Sequence, residues 1–263
     1  LMAEYPVTAI GIGSAGRVDQ QKGTVVVAGN LPFRNEPVVS KVSSALGVPA
    51  FIDNDGYTAL IGERAAGVCK GCEDALIITI GTGIGGAIFL DGKLFTGNSF
   101  SAGEFGHIPF FDNEKICACG KKGCLETEVS GIAIEEKLIT LIKSGVNTIL
   151  RDKYDRGEQI HINDIIAAAQ NDDNLSIELI EEVGEKLGKA VAFLINTFNP
   201  ETVIVGGNLA AAGDYIMLPL KSSTNKYSLN LVYKDTKFRQ SKMGENANAW
   251  GVAMLIHNKI IGL

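Results

Sequence analysis

The sequence of 263 residues predicts an α/β fold. Three observations support this fold class. Short runs rich in Val, Ile and Ala alternate with longer helical patterns, which is typical of sheets covered by helices. The apolar and charged fractions, 46 % and 21 %, are those of an ordinary globular protein. Glycine occurs 31 times and is concentrated in loops, which indicates backbone that approaches a ligand closely.

The elements follow in order along the chain. Buried apolar runs predict strands at 7–13, 24–28, 49–52, 75–80, 85–90 and 202–206. Helical periodicity predicts helices at 35–46, 55–67, 129–144, 162–171, 174–198, 209–222 and 243–257. Residues 94–125 fit neither period and are rich in Gly, Phe and Cys. A segment of that length without regular structure is usually functional or held by a metal.

Charge and composition exclude several classes of function. The net charge of −6 offers no basic footprint for nucleic acid, so no nucleic-acid partner is expected. No apolar run reaches the roughly 20 residues that cross a bilayer, and no signal peptide is visible. We therefore expect a cytoplasmic protein without a membrane partner. Because three of its five cysteines are clustered in one short segment, they indicate metal binding rather than disulfides.

Two glycine-rich segments are candidate phosphate and nucleotide sites. The first, Gly81-Thr82-Gly83-Ile84-Gly85-Gly86, joins two predicted strands, and glycines there let backbone N–H groups approach phosphate oxygens. A hairpin without a ligand explains the same pattern equally well. The second, Gly206-Gly207, lies between a strand and a helix, where a nucleotide can contact the helix N-terminus. A simple tight turn is the alternative, and it is favoured for this pair alone.

The tripeptide Asp53-Asn54-Asp55 follows the strand predicted at 49–52. Carboxylates at the ends of strands are common in active sites of α/β proteins. Asn54 offers a donor and an acceptor to a sugar hydroxyl, and Asp55 can take a proton from it. The alternative is helix capping, because Asp and Asn are both preferred N-cap residues. One residue can serve each role.

The strongest motif is a set of metal ligands. One imidazole and three thiolates, from His107, Cys117, Cys119 and Cys124, are typical of a structural zinc site. Unrelated thiols are a poor alternative, since buried cysteines do not cluster in a polar loop. Glu104 and Glu126 flank this set, and we expect them to accept hydrogen bonds from a sugar rather than to be solvated acids.

Cys69-Lys70-Gly71-Cys72 lies apart from that motif. A C-x-x-C pair can bind zinc or perform thiol chemistry. The four zinc ligands are complete without it, and we interpret Cys69 and Cys72 as surface thiols.

These motifs together resemble those of the ROK (repressor, open reading frame, kinase) family, which includes bacterial glucokinases and N-acetylmannosamine kinases. Glu104-x-Gly106-His107 and Cys117-x-Cys119-Gly120-x-x-Gly123-Cys124-x-Glu126 resemble its zinc and sugar signature. Asn54-Asp55 resembles its catalytic pair, Gly81–Gly86 its second phosphate loop, and Gly206-Gly207 its adenosine-side turn. Gly13-x-x-Gly16-Arg17-Val18-Asp19 and the segment from Gly244 to Gly251 also match family segments.

The resemblance implies an actin-like, hexokinase-like (ribonuclease H-like) fold with two lobes and a cleft between them. It implies ATP-dependent phosphorylation of a hexose with Mg²⁺, a structural zinc and a homodimer. Asp55 is the implied general base, and His107 is implied to bind zinc through one nitrogen and face the sugar with the other. The implied sugar-binding residues are Gly16, Asn54, Asp55, Glu104, His107 and Glu126. The implied nucleotide-binding residues are Gly81, Thr82, Gly83, Gly85, Gly206 and Gly207.

The sequence departs from the family pattern at its start. Family kinases carry an upstream Asp-x-Gly-Gly-Thr loop, and no equivalent occurs in residues 1–13. We therefore expect a truncated N-terminal lobe over residues 1–100, an incomplete nucleotide site, and a C-terminal lobe over residues 101–263. The family also contains transcriptional repressors that keep the sugar pocket. A non-catalytic sugar-binding regulator is consequently the alternative to a kinase.

Overall fold

The computed structural model describes residues 6–28, 31–244 and 246–261. Its strands are β1 (Ile10–Ser14), β2 (Arg17–Asp19), β3 (Thr24–Val27), β4 (Arg34–Glu36), β5 (Ala50–Asn54), β6 (Ala75–Ile80), β7 (Ile84–Leu90), β8 (Lys93–Leu94), β9 (Thr202–Gly206) and β10 (Lys237–Gln240). Its α-helices are α1 (Val38–Leu46), α2 (Asp55–Ala66), α3 (Glu126–Val129), α4 (Gly131–Lys143), α5 (Arg151–Asp155), α6 (Ile162–Gln170), α7 (Asn174–Phe198), α8 (Asp214–Tyr227), α9 (Asn230–Asp235) and α10 (Asn246–Ile261). Short 3-10 helices cover Phe105–His107 and Asn208–Ala212.

The chain divides into two compact units. The first unit contains residues 1–77, 86–103 and 242–263, and the second contains residues 78–85 and 104–241. These units differ from the predicted division at residue 100, because α10 packs against α2 and so belongs with the early part of the chain. Both β6 and β7 run across the boundary between the units.

Within the first unit, β1 pairs in parallel with β5, and β2, β3 and β4 form an antiparallel sheet. Val18, Val25, Ala28 and Ile52 form a small buried cluster. Helices α2 and α10 pack so closely that their backbones are in contact. A Cβ on Gly62 would lie 1.9 Å from the carbonyl oxygen of Ala247, so only glycine fits there. This contact fixes α2, the helix that carries Asp55.

The second unit is built around α7, whose inner face is buried along its length and packs on α8. The five-stranded sheet has the order β10-β9-β6-β7-β8. The predictions at 75–80, 174–198 and 202–206 coincide with β6, α7 and β9. Among the described residues, no helix is both long enough and apolar enough to cross a membrane.

Several predicted elements begin or end elsewhere. The helix expected over 35–46 begins only at Val38, because the residue before Pro37 is driven to extended backbone and Arg34–Glu36 is strand β4. The helix expected over 209–222 is a 3-10 turn and α8, separated at Gly213. The helix expected over 129–144 is α3 and α4, separated at Ser130. The strand expected over 7–13 is β1, and residues 6–9 are not strand.

Candidate functional site

The first group of candidate residues lies where β5 ends and α2 begins. The structure shows Asn54 as the N-cap of α2, with its Oδ1 accepting hydrogen bonds from the backbone N–H groups of Gly56 (2.9 Å) and Tyr57 (3.2 Å). Its Nδ2 donates to the carbonyl oxygen of Gly16 at 2.9 Å. Asn54 therefore caps α2, as the capping alternative expected. The same side chain is hydrogen-bonded to Gly16, which is another predicted sugar-binding residue.

Asp55 is the first residue of α2 and uses one carboxylate oxygen locally. Its Oδ1 accepts from the N–H of Gly56 at 2.9 Å. Burial raises the pKa of Asp55 above the ordinary aspartate value, and the hydrogen bond from Gly56 opposes that shift. A carboxylate at the N-terminus of a helix is also favoured by the helix dipole. Among the described residues, Gly56 is the one neighbour that donates a hydrogen bond to this carboxylate, so the residue retains acceptor capacity.

Asp53 is buried immediately beside this pair, with 2 % of its surface exposed. Its Oδ1 accepts from the N–H of Asn54 at 2.7 Å. Burial raises the pKa of Asp53 to about 6, against smaller opposing effects from hydrogen bonds to Asn54 and Gln20 and from the charge of Lys259. Strand alternation did not signal this burial, because it places Asp53 on the face of β5 opposite Ala50 and Ile52.

The second group is the metal-ligand set of the second unit. The ligand atoms of His107, Cys117, Cys119 and Cys124 all lie within 4.8 Å of one another. Cys119 Sγ is 3.6 Å from Cys124 Sγ, and Cys117 Sγ is 3.5 Å from His107 Nδ1. A tetrahedral zinc with ordinary bond lengths places two sulfurs about 3.8 Å apart, and a sulfur and a nitrogen about 3.6 Å apart. The geometry of the four residues therefore fits zinc.

The segment that carries these ligands has little regular structure. It is closed by isolated bridges between Pro109 and Cys124 and between Ile116 and Lys122. Burial raises the pKa of the Cys117 thiol. A bound cation would favour the thiolate form of this sulfur.

Two carboxylates contact this set. Glu104 Oε2 lies 3.8 Å from His107 Nε2, and Glu126 Oε1 lies 4.0 Å from His107 Nδ1 and 3.5 Å from Cys117 Sγ. The imidazole thus faces the thiols with Nδ1 and Glu104 with Nε2. That one nitrogen binds metal while the other faces a sugar stays a prediction.

Glu126 also joins the metal-ligand set to the glycine loop. Its Oε2 accepts from the N–H of Ile84 at 2.9 Å, and a Cβ on Gly83 would lie 2.6 Å from the same oxygen. The start of α4 also contacts this loop, because the N–H of Gly131 donates to the carbonyl oxygen of Gly81 at 2.8 Å. These long-range contacts were not predicted, because nothing in the local sequence signals them.

The remaining candidate glycines lie at the end of strand β9 in the five-stranded sheet. Gly207 has φ 78°, and its Cβ would lie 2.4 Å from the carbonyl oxygen of Ile80. The backbone after β9 therefore rests directly on the end of β6, from which the glycine loop continues. The structure thus brings Gly206 and Gly207 into the neighbourhood of Gly81, Thr82, Gly83 and Gly85. Gly16, Asn54 and Asp55 belong to the first unit.

The α/β fold, the glycine loop and the His-Cys set together define a sugar-kinase-like domain of the ROK type. Residues 2–259 match the ROK family, and the chain belongs to that family. The predicted actin-like, hexokinase-like α/β fold is confirmed by the solved structures that the chain resembles.

The relatives include both enzymes and regulators. A glucokinase of Halalkalibacterium halodurans is 32 % identical over 248 residues, which cover 94 % of this chain and 75 % of the relative. A xylose repressor of Caldicellulosiruptor bescii is 33 % identical over 258 residues, covering 97 % of this chain and 64 % of the repressor. The crystal structure of a Streptomyces griseus ROK glucokinase with glucose and AMPPNP has a TM-score of 0.85 and 30 % identity, over 95 % of this chain and 81 % of that one.

Proposed function

We propose that the protein phosphorylates a hexose with ATP, and that the sugar is glucose or a related sugar such as N-acetylmannosamine. The observation that carries the proposal is Asp55, a half-buried carboxylate at the start of α2 whose pKa is raised by its partial burial. A binding protein needs no such proton acceptor. The glucokinase relatives, one of them solved with glucose and AMPPNP, support the same reaction.

In the proposed reaction Asp55 accepts the proton of a sugar hydroxyl as the hydroxyl oxygen attacks the γ-phosphorus of ATP, and ADP leaves. The raised pKa of Asp55 brings its basicity closer to a neutral operating pH, which makes it a better general base. Mg²⁺ bound to the ATP phosphates would neutralise charge that develops during transfer. Backbone N–H groups of the glycine loop would bind phosphate oxygens.

We assign the other predicted residues to binding. Sugar contacts are proposed for Gly16, Asn54, Asp55, Glu104, His107 and Glu126, and nucleotide contacts for Gly81, Thr82, Gly83, Gly85, Gly206 and Gly207. Zinc is proposed to be held by His107, Cys117, Cys119 and Cys124. Because protein fills all four positions, the zinc would shape the segment and not activate water. The homodimer stays a prediction of the family resemblance.

A coupled phosphorylation assay over a panel of hexoses tests this function. The full-length protein is expected to phosphorylate at least one hexose with ATP and Mg²⁺. Asp55→Asn should lower kcat by at least about 100-fold, because it keeps the shape and removes the proton acceptor. Sugar affinity, measured by calorimetry, should change much less. A near-normal kcat for Asp55→Asn would contradict the role of Asp55, and no turnover with any hexose would contradict the kinase.

A sugar-responsive regulator is the second candidate. The observation in its favour is the xylose repressor, which matches 97 % of this chain. A regulator would bind a sugar in calorimetry without turning it over, and Asp55→Asn would leave that binding nearly unchanged. Sugar binding without phosphorylation by the full-length protein would therefore favour the regulator.

A further inference from the structure

The Cys69–Cys72 segment is not a pair of surface thiols. It forms the turn that follows α2 in the first unit. Cys69 is 1 % exposed, whereas Cys72 is half-buried. The interpretation as surface thiols was therefore wrong for Cys69, because this turn folds back against the end of α2.

The turn holds the two cysteines at a spacing that suits a disulfide. The N–H of Cys72 donates to the carbonyl oxygen of Cys69 at 3.0 Å, and Gly71 has φ 78°, as in a type II turn. The outer Cα atoms of a β-turn lie within about 7 Å, and disulfides span about 4.4–6.8 Å between Cα atoms. The two thiols also interact with each other directly.

Contacts with α2 hold this turn in place. Glu63 is fully buried, and its Oε2 accepts from the N–H of Val68 at 2.8 Å. The carbonyl oxygen of Glu63 accepts from the N–H of Cys69 at 3.3 Å. At the other end of the turn, Arg64 Nε donates to the carbonyl oxygen of Cys72 at 2.9 Å. The thiols are thus brought together before any reaction, and forming a bond between them requires no large movement of the chain.

The two thiols differ in access. Cys72 is half-buried, so part of its surface faces solvent, whereas Cys69 is enclosed. Burial is the largest of the effects that raise the pKa of Cys69, followed by the neighbouring Cys72 and the charge of Glu63. Cys69 therefore stays protonated and shielded until a neighbouring sulfur becomes electrophilic. This is the division between an attacking and a resolving cysteine that redox-sensitive pairs use.

We propose that Cys69 and Cys72 form a reversible dithiol–disulfide site that a peroxide oxidises. The Cys72 thiolate attacks one peroxide oxygen, so an S–O bond forms and the O–O bond breaks. With hydrogen peroxide, the leaving hydroxide takes a proton and becomes water. The Cys69 sulfur then attacks the sulfenic sulfur of Cys72 and expels hydroxide, which takes the Cys69 proton. The balance is two thiols and one hydrogen peroxide to one disulfide and two waters.

Oxidation of Cys69 and Cys72 requires neither the kinase activity nor zinc. The zinc-ligand cysteines belong to the second unit, and the C-x-x-C pair belongs to the first. An experiment that follows this pair must therefore distinguish its sulfurs from Cys117, Cys119 and Cys124. Trypsin provides the distinction, because Lys70 lies between the two cysteines.

The test is peptide mapping of the zinc-loaded protein after exposure to hydrogen peroxide. Remaining thiols are blocked with iodoacetamide, and the protein is then unfolded and digested. Cleavage after Arg64, Lys70 and Lys93 separates peptides 65–70 and 71–93 unless a disulfide joins them. We expect the two peptides to be recovered as one linked species that dithiothreitol separates. In the reduced protein, iodoacetamide should modify Cys72 before Cys69.

Single substitutions provide the controls. In Cys69→Ser, peroxide should carry Cys72 on to the sulfinic acid, because no resolving thiol is present. In Cys72→Ser, Cys69 should stay unoxidised. Since Cys69 is buried and its replacement can affect folding, the wild-type map decides the question by itself. Absence of the linked peptides while Cys72 is oxidised, or linkage of Cys72 to a zinc-ligand cysteine, would overturn the proposal.

Discussion

Residues 50–66 form strand β5 and helix α2 without interruption, whereas residues 104–126 contain one 3-10 turn and two isolated bridges before α3 begins. In the first region, Asn54 and Asp55 are positioned by a helix cap and by packing of α2 on α10. In the second, Glu104 and Glu126 lie beside the four candidate metal ligands, of which His107 is one. The first region organises its side chains through its own backbone. The second is tied together by turns and isolated bridges instead of regular elements, and the proposed zinc would hold its side chains in place.

The two regions therefore differ in what should disturb them. Chelation should disorganise the carboxylates around the metal ligands and leave the β5–α2 junction intact. Substitutions that remove the Asn54 cap or change the burial of Asp53 should affect the β5–α2 junction alone.

Removal of the metal should have the largest effect. Cys124→Ser should lower zinc content from about one equivalent to near zero and cost at least about 4 kcal/mol of unfolding free energy, because metal-binding energy is part of folding energy. For a chain of this size that is a fall in Tm of about 10 °C. Metal analysis and thermal unfolding measure both quantities.

Cys72→Ser is the matched control for that change. It replaces a cysteine outside the metal-ligand set and should alter stability by at most about 0.5 kcal/mol. Equal Tm shifts for the two variants, or folded, reduced wild-type protein without zinc, would contradict the metal site.

Asp53 should make the β5–α2 junction sensitive to pH. Its folded pKa, about 6, is raised above the ordinary 3.8, so the folded protein binds a proton more tightly than the unfolded chain does. The contribution of Asp53 to stability therefore falls as pH rises from about 4 to about 6 and is constant above that window. The shift corresponds to about 3 kcal/mol.

Asp53→Asn should remove this dependence. Wild-type unfolding free energy minus that of the variant should fall by up to about 3 kcal/mol between pH 4 and pH 7. Urea unfolding at a series of pH values measures the difference. Asp91→Asn, a change at an exposed aspartate, is the surface control. A flat curve for Asp53→Asn would show that burial of this carboxyl carries no such cost.

Glu126 should couple the metal-ligand segment to the glycine loop. Its Oε2 accepts from the N–H of Ile84, and a hydrogen bond to a charged group contributes about 1.5–3 kcal/mol. Glu126→Ala should speed hydrogen exchange of the Ile84 amide by about 10-fold or more in zinc-loaded protein. Glu126→Gln keeps an acceptor oxygen and should show a smaller change. Unaltered hydrogen exchange of the Ile84 amide in Glu126→Ala would show that Glu126 does not couple the glycine loop to the metal-ligand segment.

Asn54 should give the smallest effect of the four. Asn54→Ala removes the N-cap of α2 and should cost about 1 kcal/mol of unfolding free energy. Asn54→Ser keeps a capping oxygen but not the donor to Gly16, so it should recover most of the loss in stability. If Asn54→Ser is as unstable as Asn54→Ala, the hydrogen bond to Gly16 contributes more to the unfolding free energy than the cap does. Denaturant unfolding resolves the two cases.

Much of this architecture could be predicted from local patterns. Strand β6 and helix α7 coincide with their predictions because both are continuous buried or amphipathic runs. The His-Cys set could be predicted because metal ligation requires residue types that rarely cluster for other reasons. The start of α1 was misplaced because the restriction that Pro37 imposes on Glu36 was not applied. Strand β10 was missed because Lys237–Gln240 carries no strong apolar alternation.

By itself, the sequence determined the family and the α/β class and predicted a metal-ligand set and a candidate base, because each depends on residue type, spacing or periodicity. Only the tertiary structure decided which of these residues act on one another. The bond from Ile84 to Glu126 spans 42 residues, and that from Asn54 to Gly16 spans 38. The burial of Cys69 likewise follows from how its turn packs against α2. Such contacts depend on how distant segments pack, and local sequence carries no record of that packing.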